Sequence, residues 1–170
     1  MTLAHPVVFD VNVLVGAVAS GTTKFESWPS PPPVSDNPFA DCLGIVNDAR
    51  EFALFLSEHI LATTVFVLTH PEHGFGWDVT HARDYVQVLL EIAAASGGAI
   101  IDPVVRVNDA ADEEDNRILE LALTCEADLV VSDDAHLTDL SPWRGRPVLR
   151  PVEFTARTDA MRRADRRGRR

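Results

Sequence analysis

The chain has 170 residues, of which 46% are hydrophobic, and it carries a formal net charge of −11 at pH 7. A chain of this length fits one domain that buries about two thirds of its unfolded surface. The negative charge argues against a body that holds nucleic-acid phosphates over a wide surface, because such surfaces are rich in Lys and Arg. We expect a soluble, cytoplasmic protein without a signal peptide or a membrane span, since the amino-terminal apolar run is short and interrupted.

Basic residues are concentrated at the carboxyl end of the chain. The segment RRADRRGRR, residues 162–170, contains six of the 15 basic residues. Such a segment either holds phosphates by counterion release or stays a solvated end. We expect a single domain over residues 1–155 and a flexible, Arg-rich tail over residues 156–170.

Apolar runs and helical spacings alternate along the chain. A β-branched run predicts a strand over residues 7–10, and a helix follows over residues 11–19. Residues 20–38 form a proline-rich break, with polyproline II favoured at residues 31–33. The later helices are predicted over residues 39–50, from Ser57 to about residue 70, from Thr80 to the glycines at 97 and 98, over 111–127, and briefly near 134–140.

The remaining strands are predicted between these helices. They cover residues 52–56, 99–105 and 129–132, followed by an edge strand over residues 146–154 that Pro151 interrupts. Strands rich in Val, Ile and Leu that alternate with helices predict a mainly parallel sheet covered on both faces. The expected fold is therefore α/β, a three-layer α/β/α sandwich with a mainly parallel central sheet.

Three acidic residues occupy positions where such a fold places its chemistry. Asp10 and Asp134 each follow an apolar strand, and Asp115 lies in the first turn of a helix. Carboxylates that converge on one crevice repel one another unless divalent cations hold them, and oxygen ligands suit Mg²⁺ or Mn²⁺. Such a site activates water and stabilises phosphodiester oxygens. The sequence therefore indicates a candidate site for Mg²⁺ or Mn²⁺.

Ordinary structural roles also explain some of these acids. Asp112 with Asp115 three residues later fits a helix cap, and neighbouring glutamates suit the helix dipole in any protein. Asp133 and Asp134 fit a turn that caps a short helix. Asp10 is harder to explain in this way, because it ends an apolar strand and Asn12 follows without a glycine turn.

Three motifs resemble those of the PIN domain family. The segment FDVNVLVGA is similar to the DxNxL opening of that family, DEEDNRILELAL to its DxxDN helix, and ADLVVSDDAHL to its acidic strand end. The resemblance extends from about Val7 to Phe154. It implies a metal-dependent ribonuclease that cleaves RNA, most often the toxin of a VapC-type toxin–antitoxin pair. A cognate antitoxin protein is then the expected partner, and a homodimer the expected assembly.

The resemblance assigns roles to individual positions of this sequence. It implies that Asp10, Asp115 and Asp134 are the catalytic metal ligands and that Ser132 forms a hydrogen bond near the first acid. Asn12 and Asn116 match polar positions that support the ligands. Asp133 stands where the family often has Gly, and it either widens the metal shell or faces solvent. Asp112 is a helix cap or an extra ligand.

One position departs from the family pattern. PIN domains of this type usually carry a Glu in the helix after the second strand, and Thr63 stands at that place in this chain. Glu58, in the first turn of the same helix, is either a substituted ligand or a solvated capping residue. Because this Glu is missing, the alternative function is that of a catalytically weakened PIN-like module, which binds RNA or protein without cutting it.

Other readings of the sequence are weaker. A haloacid-dehalogenase-like phosphatase would use Asp10 as its nucleophile, but Asn12 replaces the acid that this chemistry needs, and the only lysine, Lys24, lies in the proline-rich region. The histidines at 70, 73 and 81 belong to a surface loop rather than a zinc site, because no further Cys or His pair accompanies them. Phe75 and Trp77 either stack on exposed bases or close the loop over the core.

Overall fold

The computed structural model describes residues 3–19 and 36–169. Over these residues, parallel strands alternate with helices, and a short 3-10 turn lies at Pro71–His73. The strands are β1 (His5–Phe9), β2 (Phe52–Phe55), β3 (Leu129–Val131) and β4 (Val148–Leu149). The helices are α1 (Val11–Ala19), α2 (Pro38–Asn47), α3 (Glu58–Thr69), α4 (Val79–Ser96), α5 (Glu113–Thr124), α6 (Ala135–Thr138) and α7 (Pro151–Gly168). Lys24 and the predicted polyproline II segment at 31–33 lie outside the described residues.

The strands form one parallel sheet in the order β2-β1-β3-β4. In the central strand β1, the successive residues Val7, Val8 and Phe9 are all fully buried. Because successive side chains of a strand point to opposite faces, both faces of the sheet are covered. This confirms the predicted α/β fold with three layers and a parallel central sheet.

The strand order places a crevice between β1 and β3. The chain leaves β1 toward β2 on one side of the sheet, and β3 is followed by β4 on the other side. In open α/β sheets, ligands bind where the strand order reverses in this way, outside the carboxyl ends of the strands. Asp10 follows β1 directly and Ser132 follows β3, so the predicted site residues lie at this point of the sheet.

Local signals in the sequence account for the helix ends. The Ser57 hydroxyl accepts a hydrogen bond from the backbone N–H of Ile60, at 3.2 Å, and so caps α3. Helix α4 ends at Gly97, whose φ of 89° is a left-handed conformation that favours glycine. Both predicted helix boundaries are confirmed.

Two predicted strands differ from the structure. Residues 99–105 contribute only an isolated parallel bridge, between Ile100 and Leu56 beside β2, instead of a regular strand. The predicted edge strand at 146–154 is reduced to Val148–Leu149. Pro151 begins a helix there, because its fixed φ and missing N–H suit the first helical position. The backbone N–H of Arg150 donates to Glu153 Oε2 at 2.8 Å, which stabilises this helix start.

The segment expected to be a flexible tail is helical as far as Gly168. Helix α7 packs its Phe154 ring against Phe9 and Phe52, with ring centroids 5.6 and 4.8 Å apart. Farther along α7, the Arg162 guanidinium is 5% exposed and bonds both oxygens of Glu51, at 2.9 and 2.8 Å. It also lies 3.2 Å from Asp48. These contacts order the first part of the Arg-rich segment against the body.

We expect the replacement of Arg162 by Met to destabilise the protein by about 3 kcal/mol, because two acids would then remain partly buried without their cation. Arg163→Met is the matched control, since its pair with Asp159 is largely exposed and contributes at most about 1 kcal/mol. Urea unfolding followed by circular dichroism measures both values. Equal stabilities of the two variants would contradict the anchoring role of Arg162.

Among the helices of the described residues, none is long and apolar enough to cross a membrane.

Candidate metal centre

Asp10 is held rigidly at the carboxyl end of β1. Its backbone N–H donates to the Val131 carbonyl at 2.9 Å, so the β1–β3 pairing continues to the acid itself. One carboxylate oxygen, Oδ1, accepts the backbone N–H of Val11 at 2.7 Å. The other, Oδ2, accepts the Ser132 hydroxyl at 2.7 Å and the Asn12 amide at 3.1 Å. The carboxylate is therefore fixed in orientation before any ligand binds.

Asn12 links the ends of β1 and β3. Its amide nitrogen donates to Asp10, and its amide oxygen accepts the backbone N–H of Asp133 at 3.1 Å. The sequence motif alone does not show this second bond, since it joins residues 121 positions apart. Asn12 therefore sets the spacing between the two acidic strand ends.

Asp134 begins the short helix α6. Its Oδ1 atom accepts the backbone N–H of His136 at 2.8 Å, and its own backbone N–H donates to the Ser132 hydroxyl at 3.0 Å. Ser132 thus contacts both Asp10 and Asp134. The side chain of Asp134 is 39% exposed and remains accessible from the crevice.

Asp115 is a buried acid with an incomplete set of hydrogen bonds. It is 6% exposed, and its Oδ2 atom is buried without a hydrogen-bond partner. Burial, together with the nearby charges of Asp134, Asp10 and Asp112, raises the pKa of Asp115 to about 6, and burial is the largest cause. The pKa of Asp10 is also raised, mainly by burial and in part by Asp134, although its hydrogen bonds oppose this. A bound cation would relieve this repulsion.

One functional candidate was missed by the sequence reasoning. His136 offers an imidazole nitrogen that, with one carboxylate oxygen each from Asp115 and Asp134, forms a group in which all ligand atoms lie within 4.8 Å of one another. Its Nδ1 atom is 3.8 Å from Asp134 Oδ1. The signal in the sequence was a histidine two positions after the strand-end acid, in the first turn of a helix. The donor set and the unpartnered Asp115 oxygen together fit a divalent cation.

Asn116 and Asp112 make local contacts at the start of α5. The Asn116 amide bonds both the carbonyl and the N–H of Ala110, at 3.0 and 2.9 Å, so it fixes the loop before the helix. Asp112 caps α5, because its Oδ1 atom accepts the Glu114 N–H at 2.8 Å. Both residues therefore position Asp115 through the backbone.

Among the described residues, Asp10, Asp133 and Glu58 are not members of the close group formed by Asp115, Asp134 and His136. Glu58 is exposed, and its backbone N–H donates to Asp102. Asp133 is exposed, and its backbone N–H donates to the Asn12 amide oxygen. Thr63 lies 3.5 Å from the His59 ring, which in turn bonds Glu114 at 2.8 Å.

The histidine-rich loop is a separate surface feature. The rings of His70 and His73 stack against Phe66 of α3, with centroids 4.9 and 5.8 Å away. Trp77 stacks on His81 at 4.4 Å and, like Phe75, packs partly buried against the core. These contacts favour the interpretation that the aromatics close the loop over the core.

The protein is thus an open parallel α/β domain whose carboxylates lie at the switch point, where such domains bind ligands, and its donor set suits a divalent cation. The family model of the PIN domain matches residues 6–136 of the chain. The chain therefore belongs to the PIN domain family. PIN domains are generally metal-dependent nucleases that act on nucleic acid, and the acidic cluster fits that class. No curated protein matches the chain.

Proposed function

We propose that this protein is a metal-dependent endoribonuclease that hydrolyses RNA phosphodiesters with Mg²⁺ or Mn²⁺. The observation that carries the proposal is the buried Asp115 carboxylate, whose Oδ2 atom has no partner although Asp134 and Asp10 lie close by. Such an arrangement is costly unless a cation completes it. The family match favours this reading over a phosphatase of the haloacid dehalogenase type.

The chain's own residues would prepare the crevice for hydrolysis. Asp115 and Asp134 would hold the cation, and Asp10, fixed by Ser132 and Asn12, would add negative charge and an oxygen beside it. A divalent cation bound there lowers the pKa of water and stabilises the charge on phosphodiester oxygens. In the overall reaction, water adds across a P–O bond: a new P–O bond forms to the water oxygen, and the leaving oxygen receives a proton.

We further propose that the protein acts as the toxin of a type II toxin–antitoxin pair and forms a homodimer in the cytoplasm. This part of the proposal rests on the resemblance to VapC-type toxins. An adjacent reading frame that encodes a short DNA-binding protein would support it. Co-expression of that protein should then suppress cleavage by this chain and yield a stable complex on gel filtration.

Asp10→Asn tests the nuclease proposal directly. We expect the variant to cleave labelled single-stranded RNA at least about 100-fold more slowly in Mg²⁺ or Mn²⁺, because Asn removes the charge without changing the side-chain size. Asp128→Asn is the matched control, since Asp128 pairs with His5 at the opposite edge of the sheet. Circular dichroism verifies that both variants fold. An Asp10→Asn variant that cuts as fast as the parent would refute the proposal.

A second candidate function is a PIN-like module that binds RNA or protein without cleaving it. Thr63, at the position where the family usually has Glu, is the observation that favours it. Calorimetric titration with Mg²⁺ and Mn²⁺ distinguishes the two functions. Binding in the millimolar range or tighter, together with cleavage, supports the nuclease; absence of both supports the module.

A further inference from the structure

The imidazole of His136 stands where it can complete the metal site. One of its nitrogens lies within 4.8 Å of a carboxylate oxygen of Asp115 and of Asp134, and the side chain is 80% exposed, so the ring is free to turn. We propose that His136 is a third protein ligand and that this site binds later divalent transition-metal ions such as Co²⁺ in preference to Mg²⁺. The inference rests on the proposed metal-dependent function for the location of the site.

The backbone places His136 beside Asp134 whether or not a cation is bound. Asp134 caps α6 by accepting the His136 N–H, and the Ser132 hydroxyl accepts the Asp134 N–H. The distance between the acid and the imidazole is therefore limited by two hydrogen bonds of the same turn. With Asp134 Oδ1 held in this cap, rotation of the exposed His136 ring would direct its nitrogen toward the same point as the carboxylate.

Asp115 supplies an independent indication that something binds between these residues. Its Oδ2 atom is buried without a partner, in a crevice that already holds the charge of Asp134. Buried carboxylate oxygens normally have hydrogen-bond partners or coordinate a metal. A cation bound to Asp134 and His136 would give this oxygen its missing partner.

The mixed donor set determines which cations are favoured. Mg²⁺ prefers oxygen ligands in octahedral geometry and retains its waters, and Mn²⁺ also suits oxygen ligands, whereas imidazole nitrogen suits later first-row metals such as Fe²⁺, Co²⁺ and Ni²⁺. Two carboxylates and one imidazole give three protein ligands and leave other positions for water and substrate oxygens. Loss of the imidazole should therefore weaken transition-metal binding more than Mg²⁺ binding.

The test is direct metal binding by the full chain, with His136→Ala as the variant and His73→Ala as the control, since His73 is an exposed histidine of the separate loop. Titrations use Mn²⁺, Co²⁺ and Mg²⁺ alone, by calorimetry and, for Co²⁺, by its visible absorption spectrum. We expect His136→Ala to weaken Co²⁺ binding at least about tenfold and to shift the Co²⁺ spectrum, to weaken Mn²⁺ binding less, and to change Mg²⁺ binding less than about twofold.

Two results would overturn the inference. Unchanged Mn²⁺ and Co²⁺ binding by His136→Ala would show that the imidazole is not a ligand. An equal loss for all three ions would show that His136 only positions Asp134. Cleavage is tested separately by Asp10→Asn. If the protein is a nuclease but His136 is not a ligand, metal binding by His136→Ala is unchanged while Asp10→Asn loses cleavage. If the site binds metal but the protein is not a nuclease, His136→Ala loses metal binding while the parent does not cleave RNA.

Discussion

Replacing Asp115 by Asn is expected to stabilise the metal-free protein and, at the same time, to reduce RNA cleavage about 1,000-fold. The two effects have one cause. The Asp115 carboxylate is buried near other acids, with one oxygen that lacks a partner. Removing its charge ends the repulsion in the absence of metal, but it also removes a carboxylate that we propose as a ligand of the catalytic cation.

The stability change should depend on pH. The pKa of Asp115 is about 6 in the folded protein, above its ordinary value of 3.8, so the folded state binds the proton more tightly than the unfolded state. The stability that the proton on Asp115 contributes is fully present below about pH 4, and it is lost as the pH rises through about 6. This rise in pKa corresponds to at most about 3 kcal/mol, and screening by solvent reduces the expected gain of Asp115→Asn at pH 7 to about 1–2 kcal/mol.

Thermal unfolding in EDTA between pH 4 and pH 8 measures this difference. Asp84→Asn serves as the control, because it removes a charge from an exposed position on α4 that is not one of the charges acting on Asp115. Added Mn²⁺ should stabilise the parent and not Asp115→Asn, since only a state that binds the ion gains from it. A variant that is less stable than the parent in EDTA at pH 7 would contradict the strained-carboxylate interpretation.

Replacing Gly98 by Ala is expected to destabilise the protein by at least about 3 kcal/mol. A methyl group at this position would lie 1.8 Å from the carbonyl oxygen of Leu54 and 2.5 Å from its carbonyl carbon. Leu54 cannot move away, because it pairs with Val7 in the sheet and its N–H donates to the Ser96 hydroxyl at 2.9 Å. The end of α4 must then separate from β2.

Urea unfolding measures this loss, and Gly168→Ala is the control. Nothing lies within 4 Å of a methyl group placed at Gly168, so the stability of Gly168→Ala should stay within about 0.5 kcal/mol of the parent's. If Gly98→Ala retained the parent's stability, that result would contradict the close approach of Gly98 to the Leu54 carbonyl.

The parts of the fold that were predicted correctly depend on local sequence signals. The β-branched run before Asp10, the Ser57 cap and the glycine that ends α4 each act within one turn or strand. The start of α7 was mistaken for a strand because alternating apolar residues suit either structure over a short run. Its ordering depends on Arg162 and Glu51, which are 111 positions apart, and no local pattern reports such a pair.

In the candidate site too, local sequence signals predicted some features, while others depend on contacts between distant segments. Acids that end parallel strands were identifiable from the sequence, because the topology of such sheets brings their carboxyl ends together. The contribution of His136 depends on the orientation of α6, and the bond from Asn12 to Asp133 joins distant segments. Both follow from tertiary structure rather than from the motif.

The anchoring of α7 separates charge along the molecule. This helix starts beyond the carboxyl end of β4, and its Arg162 bonds Glu51, which precedes β2. The helix therefore runs from the carboxyl ends of the strands toward their amino ends. The exposed arginines at 163, 166 and 167 lie at the amino ends, opposite the acidic crevice. The positive charge of these arginines attracts a polyanion, and the uncompensated carboxylates of the crevice repel it. A cation bound at the proposed site would neutralise that repulsion, so for the proposed nuclease the ion would raise the association rate of RNA in addition to its role in hydrolysis.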